Sequence, residues 1–306
     1  MKLIYNISEV QNYVPVDANF DWSLLAPYYE QVEDAVILPL IGQDTLADIL
    51  EGTSGDQKKV KDLLARAVAN IALSRALPAI SVHVGNAGVT TQHLDNTKQA
   101  EWWQVKDLRR SLLNAGYESI DLALALMETS DDFADWRDTD NYTVFKELLI
   151  SYAEEFDKWF SINKSRLTFL RLRPHIRTAE RKYVEPLLGK PTLDLLKTFG
   201  NANAVKDLMQ GALVNYTLAE IAKVPTFELT PSGLFYKWEE LPGEKHKVLT
   251  AGDLERMVTE RKMAGDELAR TALQLIVANP NVFPDYVAKE FSGTDRIITN
   301  NSGLAL

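Results

Sequence analysis

Metal or nucleophile chemistry would have to start from four histidines, His83, His93, His175 and His246, and from no cysteine at all. No two of these histidines have the i, i+4 spacing that puts both imidazoles on one helix face. None belongs to a His-Glu-x-x-His pattern. Without thiols there are no disulfides, thiolate metal sites or cysteine nucleophiles. The chain also lacks a Gly-x-x-x-x-Gly-Lys-Ser/Thr loop, a Gly-x-Gly-x-x-Gly after a strand, and a Gly-x-Ser-x-Gly elbow. Any catalysis would rest on carboxylates or a Ser/Lys pair. The densest carboxylate group, Asp131, Asp132, Asp135, Asp138 and Asp140, lacks the ligand spacing and glycine of a calcium loop. It reads as a solvated acidic linker. Glu33 and Glu180 occupy equivalent places in a repeated pattern, but the neighbouring Asp34 becomes Arg181. A carboxylate pair is therefore not kept, and a structural hydrogen bond or salt bridge is the better reading. The expectation is a chain with no catalytic residue, no cofactor and no metal.

The elements that carry these residues come in two sets. Leu25-Ala-Pro-Tyr-Tyr-Glu…Leu-Pro-Leu-Ile-Gly-Gln-Asp-Thr-Leu46 lies 147 residues before Leu172-Arg-Pro-His-Ile-Arg…Glu-Pro-Leu-Leu-Gly-Lys-Pro-Thr-Leu193. Further matches follow in the same order. Val60-Lys-Asp-Leu63 returns as Val205-Lys-Asp-Leu208, Asn70 as Asn215, Ala115-Gly116 as Ala264-Gly265, and Phe133-Ala-Asp-Trp136 as Phe283-Pro-Asp-Tyr286. A colinear series of this length marks a tandem duplication. We therefore expect a mainly α protein, two copies of a helical-bundle unit, each with a small projecting β-hairpin. The units span 1–140 and 141–291, and 292–306 forms a flexible tail.

Within a unit, a short helix near 8–14 or 153–160 precedes a second helix. Pro27 or Pro174 is expected in the first turn of that second helix. Pro39 or Pro186 should end it, because the residue before proline is pushed out of the helical region, and Gly42 or Gly189 should supply a left-handed cap. A short helix then leads to a long one over 57–77 or 202–222. Alternation follows at 79–84 and 226–230, suggesting hairpins at 79–93 and 226–237. A last long helix covers 98–128 or 251–278. Gly116 and Gly265 fall inside it, read either as a close helix crossing or as a bend. No run of 18 apolar residues predicts a membrane span, and the N-terminus has no secretion-signal pattern.

Net charge is −10, and it is unevenly shared. Residues 1–140 hold 22 acids and 11 bases, whereas 141–306 hold 21 acids and 22 bases. An acidic chain is poorly suited to bulk nucleic-acid binding. The contrast is sharpest at one repeated helix. Residues 17–35 carry Asp17, Asp21, Glu30, Glu33 and Asp34 and no base. Residues 164–182 carry Lys164, Arg166, Arg171, Arg173, Arg177, Arg181 and Lys182 against Glu180 alone. These are solvated faces, faces that touch inside one chain, a complementary contact between subunits, or, least favoured, a nucleic-acid patch. Trp102 and Trp103 are adjacent on a helix, which sends one ring inward and one toward the edge. Core packing is the default, and an interface anchored by Trp103 is the alternative.

The pattern Pro39-Leu40-Ile41-Gly42 and Pro186-Leu187-Leu188-Gly189, closing an amphipathic helix before Thr-Leu and a short helix, resembles a protein family of Bacteroides-type bacteria, their phages and prophages. That family looks like the head–tail connector proteins of tailed bacteriophages. The resemblance covers about 20–140 and 165–291 and carries no catalytic residues. It implies a non-enzymatic structural protein of the bacterial cytoplasm and virion. Its partners would be portal or other neck and tail proteins, with a homo-oligomeric ring on a template. The fused pair of units departs from the usual connector. The second reading is a cytosolic protein–protein interaction module of a bacterial mobile element.

Overall fold

In the computed structural model, described residues run from 2 to 288, except 54, 81, 86–87, 91–99, 144–146, 201–202, 223, 225–226, 231–232 and 237–250. The expected tail at 292–306 lies outside them. The chain divides into two compact units, the first over 1–144 and the second beginning at 145.

The first unit opens with α1 (Ile7–Val10), capped by Asn6, and α2 (Trp22–Val32), capped by Asp21. Pro27 lies inside α2, five residues past its start, rather than in the first turn. The helix does not stop at Pro39 either. It widens into a π-helical turn over Glu33–Ile37 and continues as α3 (Leu38–Ile41). Leu38 keeps helical angles, φ −55° and ψ −42°, and its N–H reaches back to the Glu33 carbonyl. A widened turn just before proline relieves the clash of the ring with the carbonyl four residues earlier, so the proline is passed instead of ending the helix. The stop is Gly42, at φ 83° and ψ 162°. That is not the left-handed helical cap expected from sequence but an extended positive-φ conformation open essentially to glycine alone.

Next come α4 (Gln43–Glu51), α5 (Gly55–Ile80), a short antiparallel pair β1 (His83–Gly85) and β2 (Gly88–Thr90), and α6 (Trp102–Thr129). Ala79 and Ile80, expected to begin an alternating strand, finish α5 instead. Residues from Ala67 through Leu73 are all buried in α5, which makes it the central helix of the unit. It is long and apolar enough to cross a membrane by length and composition, and 61% of its apolar window is buried inside the protein. α6 crosses it where Gly116 meets Ile71. A Cβ built on Gly116 would lie 2.5 Å from Ile71 Cγ1 and 3.3 Å from the Ala67 carbonyl oxygen. Here glycine serves a close crossing. The expected acidic linker is folded: a 3-10 turn (Asp131–Phe133) and α7 (Ala134–Arg137) bury Phe133 and Trp136. α8 (Asp140–Thr143) closes the unit, with the Tyr142 ring 4.7 Å from Trp136.

The second unit repeats the order: α9 (Ala153–Asp157), α10 (Arg166–Ala179), a π-helical turn (Glu180–Val184), α11 (Glu185–Leu188), α12 (Lys190–Thr198) and α13 (Ala204–Ile221). The antiparallel pair β3 (Phe227–Thr230) and β4 (Gly233–Tyr236) and α14 (Ala251–Ala278) follow. Pro174 again sits inside its helix, and Gly189 again stops it at φ 74° and ψ 151°. Gly265 of α14 crosses α13 at Tyr216, whose ring would be 2.7 Å from an added Cβ. Ile71 and Tyr216 are equivalent positions, so the crossing is kept while the residue it accommodates has changed. The core of this unit gathers Phe156, Phe169, Leu172, Ile176, Leu196, Leu213 and Tyr216, among others.

Small polar details recur as well. Asn70 and Asn215 each donate to the carbonyl four residues earlier, Arg66 and Gly211, at 2.8 and 2.9 Å. Glu9 Oε2 accepts from the Tyr5 N–H at 2.6 Å, and Glu155 Oε2 from the Ser151 N–H at 2.7 Å.

Candidate assembly surfaces

The first residue of each π turn is a buried glutamate. Glu33 Oε2 accepts the Leu3 N–H at 2.8 Å, and Glu180 Oε2 accepts the Leu149 N–H at 2.7 Å. Each carboxylate thus ties the segment that opens its unit onto the widened helix, a structural hydrogen bond in both copies. Burial pushes the Glu33 carboxyl up, and the Leu3 N–H opposes that only in part. Glu180 instead gains a cation: Lys197 Nζ lies 2.8 Å from its Oε1. Leu50 holds the Lys197 position in the first copy.

The second residue of each π turn points outward and differs in sign. Asp34 and Arg181 are both exposed. The rest of the two charged stretches is less available than the sequence suggested. In the acidic stretch, Asp17 accepts the Asn19 N–H at 2.9 Å. Asp21 caps α2, and bonds from the Ser23 hydroxyl and amide hold its carboxyl low. Glu30 pairs with Lys2. In the basic stretch, Arg166 pairs with Glu154 and Lys182 with Glu220. Arg177 is 2.8 Å and Arg173 3.7 Å from the same Glu147 oxygen. Arg173 is only 9% exposed. Burial, then the neighbouring Arg177, lowers its pKa, and Glu147 opposes that. Arg173 therefore belongs to the interior of the second unit, not to an open face. Arg171 and Arg181 remain on the surface. Glu147, Lys197 and Glu220 do much of this internal pairing. They were missed from sequence because each lies 17 to 38 residues from its partner.

Trp102 and Trp103 correct the expectation of core packing. They are 65% and 50% exposed, and the Lys106 ammonium sits 5.4 Å over the Trp102 ring. Burial along α6 begins only at Leu112. Leu108 and Leu122 on the same helix are also exposed, at 47% and 56%. Of the histidines, His175 is described in full. Burial lowers its pKa. His93 and His246 and the side chain of His83 lie outside the described residues. Among the described residues no three His, Asp or Glu side chains group as a metal site.

A groove of about 790 Å³ opens on the second unit beside Gly189. Its lining includes Arg181, Glu185, Pro186, Lys190 and Asp194, over the buried Leu193. In the first unit the corresponding place is occupied. Asn141 of α8 donates through Nδ2 to the Pro39 carbonyl at 3.1 Å, and its Oδ1 lies 3.3 Å from a Cβ built on Gly42. Among the described residues, a Cβ on Gly189 would meet nothing nearer than Pro191 Cδ at 4.0 Å.

No curated protein and no solved structure matches the chain. One family model does, and it matches twice, over residues 26–146 and 175–296, which agrees with the duplicated order of elements. With both copies matched, the chain belongs to the family of unknown function DUF6712.

Proposed function

We propose that this protein is a structural component that assembles through protein–protein contacts, as a head–tail connector of a phage or prophage. One observation carries the reading: the two copies keep their interior geometry while their exposed charge inverts at an equivalent position, Asp34 against Arg181. Equivalent folds with opposite surface charge suit a head-to-tail contact, in which one face of a chain meets a different face of the next. Such a heterologous contact closes into a ring when the rotation permits. Each exposed charge pair is worth about 0–1 kcal/mol, so the charges orient the contact and apolar groups must hold it. The exposed Trp102 and Trp103 supply that kind of anchor.

The test is electron microscopy of purified portal rings incubated with the purified chain. The expected result is a discrete added layer with the symmetry of the portal. Portal rings that stay bare over a range of salt and protein concentration would reject the connector reading.

A further inference from the structure

We propose that the first unit binds a small organic cation, a guanidinium or primary ammonium head, in the cavity between its opening segment and α2, with Trp22 and Tyr29 as ring walls and Glu33 as the counter-charge. The site does not depend on the connector reading. Trp22, Ala26, Tyr29, Glu30 and Glu33 recur at three- and four-residue steps, so they lie along one side of the helix. Residues 2–5 cross that side, tied to it by the Leu3 N–H on Glu33 and by the Lys2–Glu30 ion pair. Between helix and segment lies a cavity of about 70 Å³. One water needs about 10–15 Å³, and pockets for whole ligands begin at about 300 Å³, so this space suits the head of a ligand.

The walls have the chemistry of a cation seat. The Trp22 and Tyr29 rings stand 5.0 Å apart at 58°, and the half-exposed Tyr5 lines the cavity with them. Ring faces attract guanidinium and ammonium groups. Glu33 lines it too and is only 8% exposed. Its Oε2 takes the Leu3 N–H, and among the described residues nothing donates to its Oε1. Burial raises its pKa, as for a carboxylate short of counter-charge. Lys2 does not fill that role, because its ammonium is paired with Glu30.

The second copy has the same corner with cations built into the chain. Arg173, 9% exposed, stands at the Ala26 position, and Arg177 at that of Glu30. Lys197, at the Leu50 position, lies 2.8 Å from Glu180 Oε1. Of the three rings, that copy keeps only Phe169, with Ile176 and Ser151 in place of Tyr29 and Tyr5. The copy with its own cations thus lacks two rings, and the copy with three rings lacks those cations.

The test follows the Trp22 indole N–H by nuclear magnetic resonance in the full-length chain, assigned with Trp22→Phe. Methylguanidinium and methylammonium chloride are titrated against sodium chloride at equal ionic strength. The expected result is a saturable shift with an organic cation and none with sodium. Glu33→Gln should weaken binding several-fold. Ala26→Arg, which gives the first unit the guanidinium that the second already has, should abolish it with the rest of the spectrum kept. Sedimentation of the same samples separates two sources, both of which support the site. Dissociation of a self-associated form by the probe assigns the head to a basic side chain of another copy, and binding to a monomer assigns it to a free amine or guanidine. A shift that does not saturate, or that sodium chloride reproduces, overturns the proposal, and so does wild-type binding by both variants.

Discussion

Replacing Gly116 by alanine sets two effects of known sign against each other. In a helix interior alanine is better than glycine by about 0.8–1.0 kcal/mol, so propensity alone predicts stabilisation. The crossing predicts the reverse. The new Cβ would sit 2.5 Å from Ile71 Cγ1, well inside contact distance. Cγ1 is bonded directly to Cβ of a β-branched residue, which has one strongly preferred rotamer in a helix, so it cannot swing aside cheaply. The Ala67 carbonyl 3.3 Å away blocks a backbone shift in that direction. Overpacking of this kind costs about 1–3 kcal/mol, so a net loss of about 1–2 kcal/mol is expected. For a unit of this size that lowers the melting temperature by about 2–4 °C per kcal/mol. Ile71→Ala removes the obstructing atom and costs about 2–5 kcal/mol by itself. In the double variant the two losses should not add. The alanine Cβ enters the space vacated by Ile71, with a coupling of about 1–2 kcal/mol in favour of the pair. Urea unfolding of the four proteins, with transitions followed by tryptophan fluorescence, measures the cycle. A Gly116→Ala protein that is more stable than wild type, or a cycle with no coupling, refutes the close crossing.

Gly42→Ala and Gly189→Ala place a side chain at positive φ and extended ψ, and each should cost about 1–3 kcal/mol by chemical denaturation. Gly42 is expected to suffer the more, because Asn141 fills the space above it. Glu33 offers a pH test. Its folded pKa is raised chiefly by burial, so the folded state keeps a proton that the unfolded chain releases. Its contribution to stability therefore falls as pH rises from the ordinary carboxylate range through the raised value, then levels off. Glu33→Gln keeps an acceptor for the Leu3 N–H and should flatten that part of the urea-midpoint-versus-pH curve. Among the arginines, Arg173→Glu sets a carboxylate in a nearly buried place beside Glu147 and should destabilise by about 1–3 kcal/mol. Arg181→Glu, on the surface, should stay within about 0.5 kcal/mol of wild type.

The duplication was legible because several of the matching residues have backbone or packing reasons to be fixed. Gly42 and Gly189 hold a conformation other residues avoid, and Gly116 and Gly265 hold a crossing. The π turns were not legible. The rule that the residue before proline avoids helical angles marks Pro39 as a terminus, and only the five-residue step from Val32 to Ile37 hints at the wide turn that lets the helix pass it. The tryptophan pair was misread because periodicity gives the apolar face of a helix but not where along it burial starts. The aspartates at 131–140 looked like a linker because charge drew attention away from Phe133 and Trp136, three apart, which seat two short turns on the unit. The groove could not be read from one copy at all. It emerges only when the Asn141 contact above Gly42 is compared with Gly189, where Pro191 is the nearest described neighbour.

The head-to-tail contact is tested most directly by charge reversal and compensation in ring assembly, counted by electron microscopy on portal rings. Arg181→Glu should abolish or strongly reduce the added layer without changing stability. Adding Asp34→Lys to the same chain should restore it, because the reversed faces again match. A layer that survives the first reversal, or one that the second fails to restore, contradicts a contact made between these two faces.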